Sequence, residues 1–359
     1  MKPPTGQSGR FALLGFSRLA ARLAADRLGI GGEDWLACRS LADVRAANLR
    51  AGDLLIQAAD LADRDALRRI DATGVRRLTL VSGPFRCAGE PPLAHALEHP
   101  DAIAEPQRPA RLERLLAQTR FSDQERQRAA ALRRFIADAE LMCGVSGPRR
   151  HPRWPHAGRP VVLVAGQASG ETGGLPATSD ADMVAMSRRA FPDAFLVYRP
   201  APDGPSGSGA PAGADHVESE VSLAACLAAA DTFVTLASPL GFDALMRGKP
   251  VITHGAPFYA GWGLSDDRAA QSPVLARRRR RLDIDELTAG VLLRYCHYYD
   301  WRSGRSIECE EALRLLLADR TRRELASPLL TGLKAALPDR LLHRARGLTV
   351  GLRLWWRLG

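Results

Sequence analysis

At 359 residues, 46% hydrophobic and 25% charged, the chain has the size and balance of a globular protein with two domains, each long enough to bury its own core. The net charge of +10 is almost all arginine, since only Lys2, Lys249 and Lys334 are lysine; it suits an anionic partner, but no nucleic-acid module accompanies it, so no nucleic acid is expected. The 6 cysteines stand singly, away from histidines at ligand spacing, which argues against a zinc site and a disulfide framework, and no run of eighteen apolar residues predicts a membrane span.

In chain order, Phe11–Gly15 reads as a strand, followed by an alanine- and leucine-rich helix to about Leu28. Ser17 and Arg18 stand at that helix start, where an anion can bind backbone N–H groups; the favoured reading of Ser17 is a plain N-cap. Asp53–Gln57 reads as a strand, Asp63–Ala72 as a helix and Arg77–Val81 as a strand. The alternation predicts a parallel sheet. Ser82-Gly-Pro-Phe-Arg-Cys87 and Arg108–Leu116 follow, then a long polar helix over about Asp123–Leu141. The proline- and glycine-broken stretch Gly147–Gly158 reads as an interdomain linker.

Pro160–Ala165 is a continuous apolar run, the pattern of a strand buried on both faces. Gly166-Gln167 ends it. A helix carrying Asp180, Asp182, Met183 and Met186 follows, then the strand Ala194–Tyr198, closed by Arg199-Pro-Ala-Pro202. Ser222–Ala230 reads as a helix, Thr232–Thr235 as a strand, and Ala237-Ser-Pro-Leu-Gly241 leads into a helix over Phe242–Arg247. Next comes Gly248–Asp267, GKPVITHGAPFYAGWGLSDD: a short strand at Pro250–Thr253, a turn, and an aromatic loop at Phe258–Gly263. In a parallel sheet, ligands sit beyond the carboxyl ends of strands, so this loop suits a pocket wall; aromatics packed into the core fit the composition as well. The arginine run 277–281 suits a solvated loop, with Asp283 capping the helix after it. After Tyr295–Asp300 the chain is expected to be helical to its end. From Leu330 the tail mixes Leu, Val, Trp355 and Trp356 with Lys334 and several arginines, a pattern that suits an anionic membrane face or docking against the fold.

The 248–268 stretch, with TLASPLGFDALMR upstream and RRRRRLDIDEL and YCHYYDWRSG downstream, resembles the bacterial capsular polysaccharide synthesis family of KpsC type, whose members transfer Kdo from CMP-Kdo. Ser82–Cys87 and Arg108–Leu116 resemble that family more loosely. The resemblance implies an α/β fold of two Rossmann-like domains in a GT-B-like arrangement with C-terminal helices. On that basis we divide the chain into 1–146 (acceptor side), a 147–158 linker, 159–305 (nucleotide-sugar side) and C-terminal helices with a basic tail over 306–359.

The implied activity is glycosyl transfer in capsule biosynthesis, moving a Kdo-like sugar from a CMP-sugar to a lipid-linked or glycan acceptor. The expected place is the cytoplasm, at the inner-membrane face, beside capsule export proteins. The CMP-sugar is a substrate, and neither cofactor nor metal is expected, because cations, hydroxyls and N–H groups can meet a departing monophosphate. The implied catalytic residue is Glu171, as nucleophile or ion stabiliser of a retaining reaction. Implied substrate contacts are Gln167, Arg199, Ser238 for the phosphate, Asp243 for ribose or cytosine, Tyr259 and Trp262 for the sugar, Arg268 for its carboxylate, and Arg86 for an anionic acceptor. Two departures matter. Ala201 stands where the family has a histidine, and Ala168–Thr172 replaces a segment richer in acidic residues. A non-catalytic glycan- or nucleotide-binding subunit of the export system therefore stands as the alternative.

Overall fold

The computed structural model describes residues 10–16, 21–22, 24–25, 35–58, 74–85, 93–99, 109–142, 151–166, 178–201, 211–269, 271–300 and 302–336. The chain divides into two compact units, residues 105–295 and residues 1–104 with 296–359. Both sheets take their central strands from short apolar segments, with polar strands such as Asp266–Asp267 and Arg305–Ile307 at the edges. In chain order the strands are β1 Phe11–Leu14, β2 Trp35–Cys38, β3 Leu54–Ala58, β4 Arg76–Ser82, β5 Ala94–Glu98, β6 Val161–Ala165, β7 Phe195–Arg199, β8 His216–Val217, β9 Thr232–Thr235, β10 Val251–Thr253, β11 Asp266–Asp267, β12 His297–Asp300 and β13 Arg305–Ile307.

The sheet of the 105–295 unit runs β11-β10-β9-β6-β7-β8, and every pairing in it is parallel. Numbered by appearance within the unit, that is 6-5-4-1-2-3, the doubly wound dinucleotide-binding order. Central β6 is buried at all five positions, as its unbroken Val-Val-Leu-Val-Ala run predicts. Val162, Val164, Leu196, Val234 and Ile252 form one core cluster with Met183 and Val184 of the helix Asp180–Ala190. The helices Arg111–Gln118 and Asp123–Asp138 pack in this unit against the helical segment Ile284–Tyr295. The stretch read as a linker also lies in this unit, where Trp154 Nε1 donates to Glu218 Oε2 at 3.0 Å.

The other sheet runs β13-β12-β5-β4-β3-β1-β2. Its pairings β1–β2, β1–β3 and β3–β4 are parallel, but β5, β12 and β13 join antiparallel. The expected parallel sheet is therefore mixed. The chain after Tyr295 is not wholly helical either, because β12 and β13 form a hairpin on the sheet edge before the helix Cys309–Ala336 begins. The expected helix over Asp63–Ala72 and the tail from residue 337 lie outside the described residues.

One expectation is overturned inside the 105–295 unit. The arginine run is not a solvated loop: Arg278 is only 9% exposed. Its Nη1 donates to the carbonyls of Pro257 and Ala260 at 2.5 and 2.7 Å, while Nε and Nη2 reach Glu113 Oε2 at 3.2 and 3.1 Å. Arg277 also binds Glu113, and Arg280 binds the carbonyls of Leu116 and Thr119. A guanidinium presents five fixed donors. Here carbonyls and a carboxylate replace its water, which makes a buried cation tolerable.

Candidate functional site

In a doubly wound sheet the ligand crevice opens beyond the carboxyl ends of the strands, where the strand order reverses. In the 105–295 unit that point lies between β6 and β9, because β7 and β8 extend to one side of β6 and β9, β10 and β11 to the other. Gly166 follows β6, and Leu236-Ala237-Ser238-Pro239 follows β9 on the way into the helix Leu240–Met246.

Ser238 is closely held yet keeps one unused group. Its N–H donates to Thr235 Oγ1 at 3.2 Å, and its carbonyl accepts from Tyr259 Oη at 2.8 Å and from Gly241 N at 3.2 Å. Its hydroxyl oxygen accepts from Leu240 N at a long 3.4 Å. The hydroxyl proton has no acceptor among the described residues. The next strand end is tied to the same turn, as Thr253 Oγ1 donates to Leu236 O at 2.6 Å.

At β6 the backbone is crowded by polar groups. A Cβ on Gly166 would lie 2.8 Å from Asp180 Oδ2, 2.9 Å from Tyr198 Oη and 3.1 Å from Ala201 N. Tyr198 Oη donates to Asp180 Oδ2 at 2.6 Å. Burial first, and this bond to a carboxylate second, push the phenol well above its ordinary pKa, so Tyr198 acts as a neutral donor. Arg199, at the end of β7, donates Nη1 to Glu218 O at 3.3 Å and lies against Cys226. Burial pushes that thiol up to about 11 despite the guanidinium's opposite pull, which leaves it protonated and inert.

Three residues expected to touch ligand are placed in the interior. Asp243 is 0% exposed and pairs with Arg247 at 3.3 Å, one helical turn on. A carboxylate so paired balances a buried charge. Tyr259 and Trp262 are also 0% exposed, the second donating Nε1 to Phe258 O at 2.8 Å. The aromatic loop is packed core, and Tyr259 reaches from it to the Ser238 carbonyl. Arg268 is exposed and occupied by Asp266, with Nε–Oδ1 at 2.9 Å. Gln167, Glu171 and Arg86 lie outside the described residues, as do Ser17 and Arg18.

His254 stood in the sequence only as part of a turn after β10. Its N–H donates to Thr235 O at 3.0 Å, at the carboxyl end of β10. Burial first, then the Arg268 cation, lower its pKa, so the ring is neutral at pH 7. It does not replace the histidine missing at Ala201, since β10 and β7 are three strand spacings apart, roughly 14 Å. Among the described residues no cluster of three or more His, Cys, Asp or Glu could hold a metal ion, and no helix is long and apolar enough to cross a membrane.

Known proteins match this architecture. The sequence profile of the family described as "Capsule polysaccharide biosynthesis protein" matches residues 214–298, from β8 into β12, a span that contains Ser238, the aromatic loop and the arginine run. The capsule polysaccharide modification protein LipA of Neisseria meningitidis serogroup A is 32% identical over 239 residues, 63% of this chain and 33% of LipA. The lipopolysaccharide-processing protein LpsZ of Rhizobium meliloti is 30% identical over 271 residues, 70% of this chain and 59% of LpsZ. Over β8 to β12 the chain is similar to the capsule polysaccharide synthesis family. The chain spans about a third of the length of LipA and somewhat over half of LpsZ. Its fold is that of two solved Thermosulfurimonas dismutans KpsC structures. The beta Kdo 2,4 transferase aligns with a TM-score of 0.71 at 22% identity over 85% of this chain and 98% of that one. The beta Kdo 2,7 transferase aligns with 0.68 at 24% identity over 86% and 99%.

Proposed function

We propose that this chain is a glycosyltransferase module that takes a CMP-activated, Kdo-like sugar on its 105–295 unit and passes it to a lipid-linked or glycan acceptor, in a GT-B-like arrangement. The observation that carries this reading is the reversal of strand order between β6 and β9, with the Ser238 hydroxyl, whose proton has no acceptor among the described residues, at its edge. A hydroxyl donor beside strand-end backbone amides is suited to the phosphate of a nucleoside monophosphate leaving group. Arg199, at the end of the neighbouring strand, adds positive charge to the same edge. Glu171 is our choice for the carboxylate that meets the sugar's anomeric carbon, as nucleophile or as stabiliser of an oxocarbenium ion. The family's solved structures named as Kdo transferases support the class of sugar. The basic tail after residue 337 is proposed to hold the protein at the inner-membrane surface, near the export machinery.

A second reading has its own observation. Ala201 N lies 3.1 Å from the Cβ position at Gly166, at the mouth of the crevice, where the family carries a histidine and this chain has only a methyl group. Losing one preorganised donor to a leaving group costs on the order of 10²-fold in rate. A binding subunit without turnover would tolerate that loss. The two readings part in one experiment, incubation with CMP-Kdo generated in situ and a phosphatidylglycerol-linked acceptor. Transfer by the wild type and its loss in Glu171→Ala, with unchanged thermal stability, supports the enzyme. CMP binding without transfer supports the subunit, and neither binding nor transfer rejects both.

A further inference from the structure

We propose that Tyr259 and Arg278 are positioning residues that hold the backbone of Ser238–Gly241 in the shape that receives the donor's phosphate. The inference rests on the donor site proposed above and assigns work to side chains that touch no ligand themselves.

Tyr259 meets the turn at two points. Its hydroxyl donates to Ser238 O at 2.8 Å. Its ring also lies so close to the helix that a Cβ on Gly241 would sit 2.1 Å from Oη and 2.3 Å from Cζ. The tyrosine therefore occupies the space a side chain at position 241 would need, and presses on both ends of Ser238–Gly241 at once. Only glycine permits that approach.

Arg278 sets the place of Tyr259. Its Nη1 binds the carbonyls of Pro257 and Ala260, on either side of the tyrosine, at 2.5 and 2.7 Å. The same guanidinium faces Trp262, with Cζ 5.7 Å from the ring centroid. Glu113, from the helix Arg111–Gln118, fixes its other edge at 3.1 to 3.2 Å. A run of polar contacts thus leads from Glu113 through Arg278 and the aromatic loop to the Ser238 carbonyl. The Ser238 hydroxyl, at the end of that run, has no acceptor for its proton among the described residues.

A purely structural clamp and a positioning clamp differ in what they change. The test titrates CMP into full-length wild type, Tyr259→Phe, Arg278→Lys, Ser238→Ala and the double variant Tyr259→Phe/Ser238→Ala, and measures donor KM and kcat alongside. Tyr259→Phe keeps the ring and loses only the hydroxyl, so the fold should persist. Its CMP Kd and donor KM are expected to rise about tenfold, with kcat within about twofold, the scale of one hydrogen bond. Arg278→Lys, which cannot span both carbonyls and Glu113, should behave alike. The double variant should be no weaker than Ser238→Ala alone, because both changes act through one group. A lowered Tm with unchanged Kd and KM, or fully additive effects, overturns the proposal. Should wild type not bind CMP, the donor-site reading fails, and amide exchange decides the clamp separately. Exchange at Leu240–Asp243 at least tenfold faster in Tyr259→Phe upholds the positioning link, and unchanged exchange refutes it.

Discussion

Gly241 and Tyr259 are one packing unit made from two distant positions, and most of what the sequence left open turns on that pair. A Cβ 2.1 Å from a phenolic oxygen cannot be accommodated by a small rotamer change, because the ring is fully buried and its hydroxyl is engaged. Gly241→Ala should therefore act as overpacking, costing about 1–3 kcal/mol or more. It should appear as a fall in the urea midpoint at constant m-value, and an unchanged midpoint would mean that the loop yields freely. The three aromatics of the 258–262 loop were legible as residues that must be enclosed, but not by what. Pocket walls and cores call for the same large side chains, and the deciding partner, a bare glycine, leaves no signal of its own. Asp243 was ambiguous for a similar reason: an acid near a helix start suits a ligand or a dipole, and only the burial of Arg247 beside it reveals a charge pair. Arg278 could not be separated from the arginines next to it until Glu113 and two carbonyls were found around it.

At the scale of elements, the helix starts were the readable part. Asp283, expected to cap, accepts from Glu286 N at 2.7 Å within a reciprocal capping box, and Ser122 and Ser179 begin their helices in the same way. Strands β1, β3, β4, β6, β7, β9 and β10 follow their apolar runs. Strands β2, β5 and β12 did not announce themselves. Ala94-His-Ala-Leu-Glu98 has poor strand propensity, yet all five residues are buried between neighbours, so tertiary context decides. The helix Asp123–Asp138 is joined to the 284–295 segment by Glu125 and Arg294. The hydrogen bond from Arg294 holds the Glu125 carboxyl at about 2, against an ordinary 4.5. Since its folded pKa is depressed, the stabilisation is present above about pH 4.5 and is lost as pH falls toward about 2. With Arg294 half exposed, its worth is about 0.5–1 kcal/mol. The stability of Glu125→Gln should be flatter than that of wild type between pH 4.5 and 2, as chemical denaturation at each pH will reveal. Parallel curves across that window would show that the pair contributes nothing.

At the scale of the molecule, alternating strands and helices made an α/β fold legible, and one dense stretch made the family resemblance legible. What the sequence could not carry was strand order. The 6-5-4-1-2-3 sheet of the 105–295 unit puts its point of reversal beside the turn at Ser238, with Arg199 and Ala201 at the end of β7, and on our proposal the donor site lies there and not at the conspicuous aromatic loop. The loop then serves as the support behind that turn, and the glycines and aromatics that mark the family do their work from inside the fold. The account stands or falls on where the nucleotide sits. Amide hydrogen exchange of the full-length protein with and without saturating CMP tests this directly. The account predicts slowed exchange at residues 236–243 and 199–201, the carboxyl edge of β9 and β7. Protection confined to residues 10–16 and 54–58 of the other sheet, or no protection anywhere, would contradict it.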